Sequence, residues 1–107
     1  MLQPIHTNHL LDADGHPTGG STCGLGFAVA WQNGPLGTGE ESREPNGAFV
    51  ETLLWAAADR LRFYNDNGFS CGENRQAIVH IERAIGALQA RTERRQYEGV
   101  EGTYEGH

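Results

Sequence analysis

Glu73–Arg95 reads ENRQAIVHIERAIGALQARTERR. Its apolar positions Ile78, Ile81, Ile85 and Leu88, with Thr92 next, are spaced 3, 4, 3 and 4. That is the seam of an amphipathic helix. The spacing predicts a helix that opens at Cys71 or Glu73 and runs to about Glu98. Such a stripe needs a partner, and one lies just upstream. Val50, Leu54, Ala57, Leu61 and Tyr64 step by 4, 3, 4 and 3. "EPNGAF" opens this first helix with Asn46 in the N-cap region, and "NDNG" closes it with Asn65 and Gly68 as stops. Two seams of matching phase across a short turn make an antiparallel helical hairpin.

Ahead of the hairpin the composition changes. Residues 1–44 are rich in Gly, Thr, His and turn dipeptides. "NHLLDADGHPTGG" reads as a short strand, a turn at Asp14-Gly15 and a loop. In "GLGFAVAWQNGPLG", Leu25, Phe27, Val29 and Trp31 alternate as in a half-buried strand, which Asn33-Gly34-Pro35 ends. The fold class is therefore α+β: a small N-terminal antiparallel β region over 1–44 and a C-terminal two-helix hairpin over 45–107. The tail "GVEGTYEGH" reads as irregular. A sheet this thin must pack on something. A chain of 107 residues with 37% apolar residues buries a modest core, so oligomerisation is expected.

The net charge is −6, and all eight basic side chains are arginines, because the chain has no lysine. An acidic balance argues against a general nucleic-acid binder, DNA included, and against a binder of anionic membranes. It leaves room for a small anionic ligand held by a few arginines. No apolar run is long enough to span a bilayer. "MLQPIHTNHLLDADG" lacks both the basic start and the apolar core of a signal peptide. Cys23 and Cys71 form no CxxC pair and read as free thiols.

Three arginines, Arg91, Arg94 and Arg95, gather near the end of the second helix. Arg91 and Arg95 are four apart and share a face. Two guanidinium forks one turn apart match a pair of phosphates. A solvated face, paired with Glu93 and Glu98, is the competing reading. Asn74, in the first turn of the second helix, reads either as a cap or as an amide that bonds a base or ribose. Phe63 and Tyr64 read either as seam packing or as rings on which a nucleobase stacks. In a hairpin Phe63, Tyr64 and Asn74 come together, whereas Arg91 lies 17 residues beyond Asn74. That is roughly 25 Å by helix rise. Two chains packed antiparallel could bring the groups around one ligand, so a pocket shared between subunits is expected.

Other chemistry is thin. His6, His9, His16, His80 and His107 form no ligand set, and no metal site is expected. Asp12, Asp14 and Gly15 resemble the start of a calcium loop, but no acidic residue closes it, so a turn is the better reading. Ser21, Ser42 and Ser70 have no base nearby. Gly19, Gly20, Gly24 and Gly26 make no nucleotide fingerprint, because no helix follows them.

"GFAVAWQNGPLG", "REPNGAFVE", "ENRQAIVHIERAIGALQARTERR" and "GVEGT" together resemble the phage sponge proteins that share the anti-CBASS and Thoeris anti-defence hairpin domain. The match is closer to the Thoeris branch and covers about Asn8 to Thr103. The resemblance implies a homo-oligomer, dimer to hexamer, that acts in the host bacterial cytoplasm. It implies a protein that sequesters cyclic ADP-ribose-type messengers without cleaving them and needs no cofactor. The family's pocket uses a ring ending the first helix, an asparagine opening the second, and two arginines four apart. Here those are Tyr64 or Phe63, Asn74, Arg91 and Arg95. Members also hold cyclic di- or trinucleotides at a separate site. There this chain has Val79 and His80 in place of a threonine and a basic residue. Two other classes stand beside the sponge: a structural or regulatory phage protein that oligomerises through its hairpin, and a small nucleotide hydrolase.

Overall fold

The computed structural model describes residues 1–34, 36–37 and 43–97, except the side chains of residues 96 and 97. The element order is β1 (Ile5–Leu11), β2 (Pro17–Gly24), β3 (Phe27–Ala30), α1 (Val50–Asp66) and α2 (Gly72–Tyr97). The expected α+β class, with strands first and two helices after, is what the chain adopts. The tail "GVEGTYEGH", Glu98, Pro35 and Ser42 lie outside the described residues. The chain divides into two compact units, one built on Met1–Phe49 and one of Val50–Arg95.

The first unit is a three-stranded antiparallel sheet in the order β1-β2-β3. The β1–β2 turn sits where Asp14-Gly15 predicted it, with Gly15 at φ 81°. Asp12 closes the turn. Its Oδ1 accepts the backbone N–H of Asp14 and of His16, each at 2.9 Å. "PTGG" (17–20), which the sequence reads as loop, instead opens β2, which runs on to Gly24. Residues with little strand propensity are carried by ladders on both sides, and Gly20 adopts φ 125° in close approach to the Asn8 carbonyl.

One face of the sheet is organised by Trp31. Its indole N–H donates to Thr22 Oγ1 at 2.9 Å, and Thr7 Oγ1 lies 2.9 Å from the same oxygen. Thr22 is thereby buried in β2. Of the expected alternation, Val29 and Trp31 are partly covered, Phe27 is largely exposed, and Leu25 stands out in the β2–β3 turn.

The segment before α1 belongs to this unit, which corrects the reading of Asn46 as a cap. Asn46 accepts the Asn33 N–H at 2.8 Å and donates its own N–H to Gln32 Oε1 at 2.9 Å. Ala48 then bridges Trp31 in parallel, and Gly47 lies so close that a Cβ there would meet the Trp31 carbonyl at 2.5 Å. The backbone is thus spent on the sheet, and the helix starts at Val50 rather than near Asn46.

The second unit is the hairpin. Asn74 Nδ2 reaches Asn65 Oδ1 at 3.3 Å beside the turn, and Arg62 Nη2 pairs with Glu82 Oε1 at 2.5 Å one step further from it. Pairs of increasing sequence separation away from the turn define antiparallel helices. On α2 the covered positions Ile78, Ile81, Ile85, Leu88 and Thr92 are the expected seam. On α1 the seam is rotated. The covered stripe is Glu51, Leu54, Ala58, Leu61 and Asn65, while Val50, Ala57 and Tyr64 are exposed. Periodicity alone could not choose between Ala57 and Ala58 in a run of three alanines. The polar end residues Glu51 and Asn65 hid the true register.

Candidate functional site

The turn end of the hairpin is built by two caps. Gly68, at φ 95°, ends α1 in the left-handed conformation that favours glycine. The Phe69 N–H then donates back to the Tyr64 carbonyl at 3.0 Å. This is a Schellman motif, and its usual apolar contact is present. The rings of Phe69 and Tyr64 meet edge-on with centroids 6.5 Å apart. Phe63 meets Tyr64 in the same manner at 6.2 Å. Across the turn Cys71 opens α2: its Sγ accepts the Asn74 N–H at 3.4 Å and its carbonyl accepts the Arg75 N–H at 3.2 Å. The cap is therefore Cys71, not Asn74.

That leaves the Asn74 side chain available to cross-link the turn. Its amide donates to Asn65 Oδ1 and, at 3.1 Å, to the Phe69 carbonyl. Phe63, Tyr64 and Asn74 are thus gathered as the hairpin topology requires. Both rings are accessible, Phe63 by 50% and Tyr64 by 37%. The rotated seam explains why neither is packing in the core.

Sequence reasoning missed two members of this cluster. Phe69 is 70% exposed and follows the glycine that ends α1, so the capping motif itself was the signal. Arg60 lies three and four residues before the two rings, and its guanidinium carbon stands 4.8 Å from the Phe63 centroid and 4.9 Å from that of Tyr64. The spacing of an arginine one turn ahead of paired aromatics could have found it.

The distal arginines sit elsewhere on α2. Arg91 is exposed, whereas Arg95 is only 5% exposed. The seam explains the contrast. The step of three after Thr92 lands on Arg95, so this guanidinium continues the covered stripe while Arg91 flanks it. A solvated face is therefore the wrong description of Arg95. By helix rise these arginines are roughly 25 Å or more from Asn74, so the chain does not bring the two groups together.

The remaining polar clusters are smaller. Asp12, Asp14 and His16 approach within 4.8 Å of one another at the surface. The two N–H groups that Asp12 holds, His16 foremost, keep its carboxyl below the usual carboxylate value. These groups are accounted for by the turn. A shallow concavity of about 410 Å³ lies on α2 along Arg75, Gln76, Val79 and His80. Arg75 is fixed there by donating to Ser70 Oγ at 3.0 Å. Cys23 and Cys71 are both free thiols. Among the described residues no helix is long and apolar enough to cross a membrane.

These features define a small α+β protein whose helical hairpin ends in an exposed cluster of rings, amides and a guanidinium. The chain is similar to Thoeris anti-defense 1 of Bacillus phage SBSphiJ7, with 40% identity over 77 residues. The match takes in 72% of this chain and 51% of the phage protein, so the chain spans about half the length of that relative. No family model matches the chain. By its likeness to the phage protein, the chain belongs to the Thoeris anti-defence family.

Proposed function

We propose that this protein is a phage anti-defence sponge that binds cyclic nucleotide immune messengers of the glycocyclic ADP-ribose type and holds them without cleavage. The observation that carries the reading is the cluster at the hairpin turn: accessible rings of Phe63 and Tyr64 beside the fixed Asn74 amide, in a chain of the Thoeris anti-defence family. A ring offers a stacking surface for adenine, and the amide offers a donor and an acceptor to its edge. Arg91 and Arg95 supply the forks for the pyrophosphate, Arg91 from the surface and Arg95 from the end of the seam. Since roughly 25 Å separates the two groups within one hairpin, the complete pocket forms between protomers. The protein acts inside the host cell, where the messengers are made. Cyclic di- or trinucleotides are further candidate ligands.

A second reading, a phage protein that oligomerises through its hairpin without a ligand, draws on the exposed Val50, Trp55 and Val79. One experiment separates the two readings and also tests for turnover. The protein is mixed with the product of a Thoeris signalling enzyme and removed by filtration, and the filtrate is chromatographed. The retained protein is then heated and the released material is analysed. The sponge reading expects the messenger to leave the filtrate and return intact. A messenger that returns altered makes the protein an enzyme. One that never leaves the filtrate removes the messenger reading.

A further inference from the structure

We infer that Arg60 is a ligand-contacting residue of the aromatic site, placing a phosphate-binding guanidinium at the turn end of the hairpin as well as at the far end of α2. The inference rests on the messenger-binding reading above. Arg60 differs from the two arginines around it in what holds it. Arg62 is neutralised by Glu82, and Arg75 is tied to Ser70. Arg60 has no carboxylate partner among the described residues, although Asp59 adjoins it in sequence. Its recorded contacts are the rings of Phe63 and Tyr64.

Those contacts leave the planar fork of N–H donors uncommitted. A guanidinium over aromatic rings is attracted through its face, while its donors lie at its edge. Arg60 is also exposed, so the donors meet solvent beside the surfaces on which a base would stack. A base on Phe63 or Tyr64 would bring the phosphate of its own nucleotide within a few ångströms of that fork. The ligand class this fits is an adenine nucleotide carrying at least one phosphate, as distinct from a free nucleoside. The local cation matters more here because the chain carries a net charge of −6, which repels an anion at longer range.

The alternative is that Arg60 only positions the two rings. Affinity and its salt dependence separate these roles, because a direct phosphate contact is screened by salt and a packing contact is not. Glycocyclic ADP-ribose is titrated calorimetrically into the wild type, Arg60→Gln and Arg60→Lys across a series of salt concentrations. We expect Arg60→Gln to weaken binding by about tenfold or more at low salt and to flatten the salt dependence, since a hydrogen bond to a charged group is lost. Arg60→Lys, which keeps the charge, recovers part of both. Unchanged affinity in Arg60→Gln overturns the inference, and so does weaker binding with an unchanged salt slope. If the wild type itself binds no glycocyclic ADP-ribose, the messenger reading fails before Arg60 is in question. The thermal midpoints of the variants are measured alongside, and should Arg60→Gln not fold, Arg60→Met, which also removes the charge, is titrated in its place and judged by the same two outcomes.

Discussion

Asn74→Asp is the most informative single change in the hairpin, because it alters two donors and almost no volume. In the wild type the Asn74 amide donates to Asn65 Oδ1 at 3.3 Å and to the Phe69 carbonyl at 3.1 Å. An ionised carboxylate turns both contacts into acceptor facing acceptor. The partly buried bond to Asn65 is worth about 1 kcal/mol and the exposed bond to Phe69 about half that. A carboxylate in the first turn of α2 recovers about 0.5 kcal/mol from the helix N-terminus. The net loss is about 1 kcal/mol. A unit this small unfolds in urea with a slope near 1 kcal/mol per M, so its midpoint falls by about 1 M.

The decisive control is pH. Below its pKa the new carboxyl is neutral and can donate again, so the stability gap to wild type narrows on acidification. Helical circular dichroism followed in urea at neutral and acidic pH, on both proteins, gives the comparison. A variant as stable as wild type at neutral pH would refute the assigned cross-link. A gap that does not shrink in acid would show that the donors were not what was lost.

Three further changes test the sheet. Gly20→Ala puts a Cβ against the Asn8 carbonyl at a φ of 125°, so β1 should lose its pairing; backbone amide exchange over His6–His9 should become fast. Trp31→Phe removes the indole donor from the buried Thr22 hydroxyl and should cost about 1–2 kcal/mol, read as a lowered thermal midpoint. Acidification should loosen the β1–β2 turn. Because the folded Asp12 carboxyl titrates below its usual value, its contribution is complete above the ordinary carboxylate range and is lost as pH falls through the folded pKa. Protection of the Asp14 and His16 amides, followed by NMR, should fall in that window.

How far the fold was legible depended on which signal each segment carried. The α2 seam could be read because its positions are branched or long apolar residues, and it failed only where it reached Arg95, a charge that pattern reading does not place in a covered stripe. The α1 seam was misread by one position because its true ends, Glu51 and Asn65, are polar, while Val50, Ala57 and Tyr64 imitate a seam on the neighbouring face. β2 was invisible for a different reason. In "PTGGSTCG" only Thr18 and Thr22 favour a strand, against one proline and three glycines, and the two neighbouring ladders supply most of what keeps it extended. Asn46 carried a true capping signal, but the capping side chain was spent on Asn33, in the segment that follows β3. Of the candidate site, the grouping of Phe63, Tyr64 and Asn74 followed from hairpin topology alone, whereas Arg60 and Phe69 carried local signals that a reading of the seams passes over: an arginine one turn ahead of paired rings, and a ring directly after the helix-ending Gly68.

The structural and functional readings of the turn residues are not rivals. The Schellman motif that stops α1 is accompanied by an apolar contact between Tyr64 and Phe69, in which Phe69 and the adjoining Phe63 stay exposed. The cap at Cys71 relieves Asn74 of capping, and this is what frees its amide for the turn. A motif that terminates a helix has therefore already met part of the entropic cost of a binding surface, since rings and amide are ordered before any ligand arrives. On the proposed reading the chain is preorganised at one end and charged at the other, and an antiparallel partner completes each end with the other's complement. Pairing of that kind is self-complementary, so each pair carries two equivalent sites. Assembly would then be a condition of binding rather than an accompaniment to it.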